Sequence, residues 1–575
     1  MTAITRQQAI ESLSAPGQPY EIEHIVANGR QVRMFRNAPR SLRELFESTA
    51  TELPFIVYGD ERYSFAQAWQ AASRIGHVLV NGCGVKPGDR VAISMRNYPE
   101  WLTAFTAITS IGAVAVAMNA HWQHDEMAYC LQDSGAKVLL ADQERLDRLA
   151  QCVPVPDVQV LAVRATQLPA PLQGRARHLH EATAALGDSV MPVAMPPTDI
   201  PPDAVATMLY TSGSSGRPKG VPNTHRNILA ALLSWEFDFA LAALLAGTPA
   251  AAPAEQGGTL LAVPLFHVTG LNSSYLSSSR QQRRIVCMYR WDPELAAQLI
   301  DQERLTSIGG PAAITGDLVR VARSGRYDLG TLVAVGGGGA PRAPEQVRQI
   351  HSTLRNAAPN IGWGMTETSA IGTLNAGDDY LDRPASSGRC SVVLDIQIVD
   401  EAGHVLPAGQ RGELWVRGAS VFSGYWNLPQ VNATAFVGDW FRTGDGAYID
   451  DEGFLFITDR LKDLIIRGGE NIGCGQVEAA LLMHPDVHEA SVYAVPDERL
   501  GEEVGATVYG SASLDLDALR EFLSAHLARF EMPRYIVHSA EPLPRTPSGK
   551  ILKRQIRETA VAGLQLSTIP PEATS

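Results

Sequence analysis

Disulfide chemistry has little to work with in this chain. Its 575 residues hold six cysteines, Cys83, Cys130, Cys152, Cys287, Cys390 and Cys474, scattered without a CxxC pair. That spacing excludes a disulfide framework and a zinc site of paired thiolates, and reads as buried thiols in a reducing compartment. Positive charge is also short. With 48 basic against 61 acidic residues the formal charge is −13, and no long basic cluster appears. A sequence-independent grip on nucleic acid or on an anionic membrane is thereby excluded. The leading MTAITRQQAIESLSAPG lacks the apolar core of a signal peptide. Long apolar runs are scarce as well. The exception, residues 101–118, carries no charge over a length approaching a membrane span. However, Thr103, Thr106, Thr109 and Ser110 interrupt it and Gly112 divides it, so a short helix followed by a buried strand is expected. No internal repeat is apparent, and the chain is expected to be cytoplasmic, without integral membrane association.

The length exceeds what one hydrophobic core usually supports, so two or more domains are expected. Strand-like runs (VAISM, AVAVAM, KVLLA) alternate with helical ones, which predicts α/β units around largely parallel sheets. After about residue 388, IQIVD, GELWVRG and YIDDEGFLFI predict short antiparallel strands or a small barrel-like part. Beyond DRLKDLIIRGGENI the texture changes again to a compact α+β unit. The expected fold class is α/β. A large N-terminal domain of mixed sheets flanked by helices spans 1–458, and a small mobile C-terminal domain spans 459–575. The alanine-rich 240–254 reads as a helix extension running into a mobile loop, without chemistry.

YTSGSSGRPKG at 210–220 has almost nothing that could fill a core. Its glycines let backbone N–H groups converge on an anion, its hydroxyls add donors, and Lys219 adds a point charge. The P-loop pattern G-x-x-x-x-G-K-[ST] does not fit, because Pro218 stands five residues after Gly213. By itself the loop is equally a solvent-exposed turn. Other segments change that balance. GGGGAP at 336–341, with Gly338, Gly339 and Ala340, lets a flat ligand lie against backbone. GWGMTETS at 362–369 offers Trp363 to stack on a base, Thr366 to meet a phosphate oxygen and Glu367 to bind Mg²⁺. WFRTGD supplies Asp445 for a ribose diol, and PRTPSGK presents Lys550 on a turn.

Taken in order, these segments, with PLFHVTG, GELWVRG, GYWN and DRLKDLIIRGGENI, resemble the adenylate-forming superfamily of acyl-CoA synthetases, adenylation domains and luciferases over roughly residues 40–560. The resemblance implies ATP, Mg²⁺ and coenzyme A. A carboxylate attacks the α-phosphate of ATP, giving an acyl-adenylate and pyrophosphate; a thiol then displaces AMP. It implies that Thr211, Ser212, Gly213, Ser214, Gly216 and Lys219 close over the β- and γ-phosphates, that Thr366 meets the α-phosphate, and that Glu367 binds Mg²⁺. Trp363, where the family usually has Tyr, covers adenine, while Asp445 and Arg460 hold the ribose. Lys550 bridges carboxylate and α-phosphate and leaves when the C-terminal domain turns about Lys462; Gly468 and Gly469 then let the pantetheine arm pass.

His267 stands where amino-acid-activating relatives usually carry Asp, which favours an ordinary carboxylic acid, a small-molecule partner. Segments 268–275, 310–314 and 335–339 offer small or aliphatic walls and imply an apolar tail. The reading leans to a medium- or long-chain fatty acid, with an aryl acid as alternative. Arg280, Arg283 and Arg284 depart from the family pattern and put the substrate entrance in doubt. Delivery to a carrier protein needs a separate partner, since no carrier domain follows residue 560. Oxidative chemistry of the luciferase kind has no separate handle, and intact Lys219, Glu367 and Lys550 argue against a catalytically dead nucleotide-binding module. Self-association into a homodimer is left open.

Overall fold

The uncharged run at 101–118 resolves into a helix and a strand, and the first sheet is built around them. Pro99 occupies the first turn of the helix Pro99–Ser110, where its missing N–H is no loss. Every residue of that helix except Glu100 is buried. The threonine hydroxyls are satisfied locally: Thr103 donates to Pro99 O (3.2 Å), Thr109 to Phe105 O (2.9 Å), and Thr106 pairs with Tyr275. Trp101, Leu102, Phe105 and Ile108, all fully buried, contribute about 1.5–3 kcal/mol each. Gly112, at φ 74°, turns the chain into the strand Val114–Ala117. The computed structural model describes residues 4–27, 29–187, 192–211, 217–247, 255–339, 342–460, 464–467, 470–546 and 549–567, with backbone alone at 459–460, 471 and 565–567.

Val114–Ala117 sits inside a seven-stranded sheet in the order Lys219–Thr224, Val205–Thr211, Val114–Ala117, Arg90–Ser94, Val138–Asp142, Gln159–Val163, Ala176–His178. All its pairings are parallel except that between Val205–Thr211 and Lys219–Thr224. The second sheet has a parallel centre: Pro54–Tyr58, Arg284–Cys287, Gly258–Leu261, Ser307–Gly310, Ala334–Gly337 and Ala358–Ile361. The antiparallel strands expected after residue 388 are hydrogen-bonded onto its end rather than standing apart, so the sheet reaches 14 strands. From Ile465 onward a five-stranded sheet carries its own core, with Ile465, Val477, Val492, Val504, Leu519 and Leu523 in one cluster.

The N-terminal segment and the arginines near the expected substrate entrance are both packed. The helix Arg6–Ser14 and the hairpin Ile22–Ala27/Arg30–Phe35 place Ala9 and Phe35 against Phe237, and Arg33 donates to Leu394 O (2.8 Å). The arginines that put the substrate entrance in doubt serve as ties: Arg280 pairs with Glu236 (3.1 Å), Arg283 donates to Thr306 and Ser307, and Arg284 bonds to Glu303.

The helix His225–Leu245 is, among the described residues, the one long and apolar enough to cross a membrane, and half of its most apolar window is buried inside the protein. It covers the first part of the alanine-rich stretch; 248–254 lie outside the described residues. Its Asp238 is buried and accepts a bond from Ser391 Oγ (2.9 Å). Burial pushes its pKa up to about 7, against the opposing effects of the Ser391 bond and of Arg6. The folded protein then keeps a proton that the unfolded chain releases above about pH 4, so stability falls as pH rises from about 4 to about 7. Asp238→Asn is expected to be more stable than the parent, with a gap widening from pH 5 to roughly 2–4 kcal/mol at pH 8. Denaturant unfolding at both pH values checks this; a gap that does not grow with pH contradicts it.

Candidate active site

The glycine-rich loop is anchored at both ends before it can hold anything. Thr211 and Lys219 are cross-strand partners in the antiparallel pair, so the loop closes a hairpin between them. Tyr210, next to it, donates its hydroxyl to Asp133 (2.6 Å), and Tyr129 donates to Pro218 O (3.1 Å). Ser212, Gly213, Ser214 and Gly216 lie outside the described residues, as do Ala340, Lys462, Gly468 and Gly469 and the side chain of Arg460.

Lys219 Nζ stands 4.2 Å from the ring centroid of Tyr425, whose hydroxyl donates to Glu367 Oε1 (2.8 Å). One aromatic therefore joins the loop lysine to the buried carboxylate. Thr366 and Glu367 are presented by the short turn Thr366–Thr368, and the chain leaves it with Ser369 and Ala370 at φ 58° and 72°. Left-handed backbone at two successive non-glycine residues costs about 1–2 kcal/mol each and persists only where neighbours hold it. Those neighbours are Asn223, which donates to Thr366 O (3.1 Å) and accepts from Ser369 Oγ (3.2 Å), and Asn272, which donates to Ser369 O (3.1 Å). No motif assigns a site role to Asn223, to Asn272 within 268–275 or to Tyr425 within GYWN. Their signal was faint: Asn223 is a buried amide inside a strand, a position its type disfavours.

Trp363 is 8% exposed, its ring lies among Ile371, Leu414 and Val416, and its indole N–H donates to Asp445 Oδ2 (2.9 Å). The adjacent strand brings the backbone of Arg460 opposite Asp445. Trp363, Asp445 and Arg460 are thus gathered at one place, although they come from separate segments.

Lys550 arrives from the C-terminal unit. Its turn is closed by Thr546, whose N–H donates to Lys550 O (2.7 Å) and whose hydroxyl accepts from Lys550 N–H (3.0 Å). Gly339, at φ 75°, has no Cβ; one placed there would lie 3.3 Å from Lys550 Cε and 3.7 Å from Nζ. His267, half-buried, completes this group. Burial first, then the positive charge of Lys550 and the neighbouring His121, bring its pKa down to about 3, so its ring is neutral at pH 7. Its Nε2 is buried with no hydrogen-bond partner among the described residues, unlike a satisfied core histidine. No group of three or more His, Cys, Asp or Glu side chains that could hold a metal occurs among the described residues.

Residues 44–426 match the AMP-binding enzyme family and 476–550 match the AMP-binding enzyme C-terminal domain. The chain belongs to the AMP-binding enzyme family and, within it, to the adenylate-forming acyl- and aryl-CoA ligases. It is 32% identical to the long-chain-fatty-acid–CoA ligase FadD13 of Mycobacterium tuberculosis, over 87% of this chain and 93% of that protein. It is 33% identical to a feruloyl-CoA synthase of an Amycolatopsis species, over 87% and 95%. Among solved structures it is similar to the o-succinylbenzoate CoA synthetase MenE of Bacillus subtilis in complex with its acyl-adenylate intermediate, with a TM-score of 0.74 and 27% identity over 89% and 97% of the two chains.

Proposed function

We propose that this enzyme activates an apolar carboxylic acid with ATP to an acyl-adenylate and transfers the acyl group to coenzyme A, releasing pyrophosphate and AMP. The observation that carries the reading is the meeting of Lys550, Gly339 and the unpartnered, neutral His267 at one place. The first step brings an anionic carboxylate to a polyanion, and preorganised cations are what lower such a barrier. Lys219 stands beside the loop assigned to the phosphates, and Lys550 is assigned to bridge carboxylate and α-phosphate. Neutral His267 adds no competing charge and leaves a ring nitrogen for the acid. Thr211, Thr366 and the loop residues Ser212, Gly213, Ser214 and Gly216 are assigned to the phosphates. Trp363, Asp445 and Arg460 are assigned to the nucleoside, and Gly338, Gly339 and Ala340 to the backbone it lies against.

Glu367 fits a magnesium ion. It is a buried carboxylate with one oxygen held by Tyr425, and Mg²⁺ at nucleotide sites needs only one or two carboxylates beside the phosphates. When bound, the ion neutralises phosphate charge and polarises the phosphoryl group.

The C-terminal unit, 459–575, is read as a mobile domain turning near Lys462, so that Lys550 leaves and the thiol enters past Gly468 and Gly469. Six free cysteines accord with a cytoplasmic location. Fatty and aryl acids are supported equally, since relatives of both kinds stand at 32–33% identity. Pyrophosphate release over a panel of aliphatic and aromatic acids, with and without coenzyme A, tests the reading. Acid-dependent release with a CoA thioester as product is expected; release without any thioester points to a carrier protein as acceptor, and no acid-dependent release refutes it.

A further inference from the structure

A buried arginine with no counter-ion stands behind the glycine wall. Arg342 is 4% exposed. Its Nη2 donates to Thr315 Oγ1 (3.2 Å) and Gly336 O (3.3 Å), and its Nη1 donates to Asn360 O (3.3 Å). Its Nε has no partner among the described residues, and the neutral phenol of Tyr380 is the titratable group that acts on it. No carboxylate does so among the described residues. Burial draws the guanidinium pKa down, yet arginine remains protonated at neutral pH. An isolated buried cation is among the costliest things a fold can keep. Its three hydrogen bonds are all to neutral oxygens, one of them on the buried Thr315.

The position suggests what the cation does. Gly336 and Gly337 end the strand Ala334–Gly337, which runs on to Gly339 beside Lys550. A Cβ on Gly337 would come within 2.8 Å of the Arg342 guanidinium, so this wall is glycine partly because the arginine presses on it from behind. On the other side, Gly309 faces open space and is paired in register with Gly336. The sheet thus has open space at Gly309 on one face and a positive charge behind Gly337 on the other.

We propose that Arg342 is a positioning residue for the acid substrate, holding the wall at Gly336 and Gly337 from behind and setting an uncompensated positive charge against the anion that enters in front. The inference rests on the proposed function, and takes the carboxylate end of the acid, rather than the apolar tail expected from the sequence, to lie against Gly336 and Gly337. The missing counter-ion is then the substrate carboxylate, present only while the site is loaded, and the stability lost to burying the charge is what gives the wall its affinity for an anion.

The test compares Arg342→Met, which keeps volume and removes charge, with the parent protein. Arg342→Met is expected to have an unchanged or higher melting temperature, since it removes an unpaired buried charge. Its kcat/KM for the acid, measured by acid-dependent ATP–pyrophosphate exchange, is expected to fall about tenfold, with the KM for ATP nearly unchanged. A purely structural arginine gives the opposite coupling, with stability and activity lost together, and that result overturns the inference; so does unchanged kcat/KM. If Arg342→Met does not fold, Arg342→Lys and Arg342→Gln replace it. Lysine, which keeps charge, is expected to retain more acid kcat/KM than glutamine, which keeps hydrogen bonds, and the reverse order overturns the inference. Absence of acid-dependent exchange in the parent removes the functional reading, and the inference with it; normal exchange in both parent and variant removes the inference alone.

Discussion

Lys550→Ala is expected to slow acyl-adenylate formation by about 10²–10³, or roughly 3–4 kcal/mol, while leaving thioester formation from a chemically prepared acyl-adenylate and coenzyme A nearly untouched. The asymmetry follows from geometry. Lys550 is borne by a turn of the C-terminal unit and reaches Gly339 on the other side of the site. On the proposed reading its charge serves while two anions approach each other, and it has no task once the bond is made and the thiol arrives. The truncation removes a tip at a partly exposed turn, so the core of the C-terminal unit, around Val477, Val492 and Val504, is undisturbed. Rapid-quench rates for each half-reaction measure the split. Equal losses in both steps would mean that Lys550 acts on folding or on general electrostatics.

Glu367→Gln is expected to lower adenylation roughly 10²-fold or more, with the Mg²⁺ concentration needed for half-maximal rate shifted upward. The substitution isolates charge. Glutamine keeps an acceptor for the Tyr425 hydroxyl and nearly the same shape, so the turn held by Asn223 and Asn272 has no reason to move. On the proposed reading, only the negative charge offered to the metal is lost. Titrating Mg²⁺ against the adenylation rate provides the measurement, and near-normal activity at saturating Mg²⁺ removes Glu367 from the metal site.

Much of this site was legible in the sequence because its parts are continuous segments, each with a local reason for its residues. YTSGSSGRPKG, GWGMTETS and PRTPSGK announce backbone-rich loops bearing one or two charged groups. Contacts between distant segments were not legible. Tyr425 and Glu367 lie 58 residues apart, Asn272 and Ser369 97, and Asn223 and Thr366 143. No local pattern marks such partners, since a buried amide earns its place only from a carbonyl that the fold brings to it. The same limit applied to Arg280, Arg283 and Arg284. As a cluster of three cations near a pocket they suggested disturbance, and the fold disperses them to a carboxylate, two hydroxyls and a backbone carbonyl. Trp363 was read for its π-face alone; its indole N–H, a donor that burial removes from water, ties it to Asp445. Sheet order was likewise beyond periodicity, which predicts that strands exist and not that those after residue 388 extend the second sheet.

The central claim is that one site performs two steps because the C-terminal unit brings Lys550 in and takes it away. Pro311 and Gly549 offer a direct way to hold it in place. A Cβ on Gly549 lies 3.8 Å from Pro311 Cβ, close to the mean separation of about 3.8 Å across a disulfide. The double variant Pro311→Cys/Gly549→Cys, oxidised, pins the Lys550 turn against the large domain; reduced, it releases it. In a single-turnover experiment with ATP, acid and coenzyme A, the account predicts that the oxidised enzyme forms acyl-adenylate and stops there, and that reduction restores the thioester. Thioester formed by the oxidised enzyme as fast as by the reduced one would contradict it.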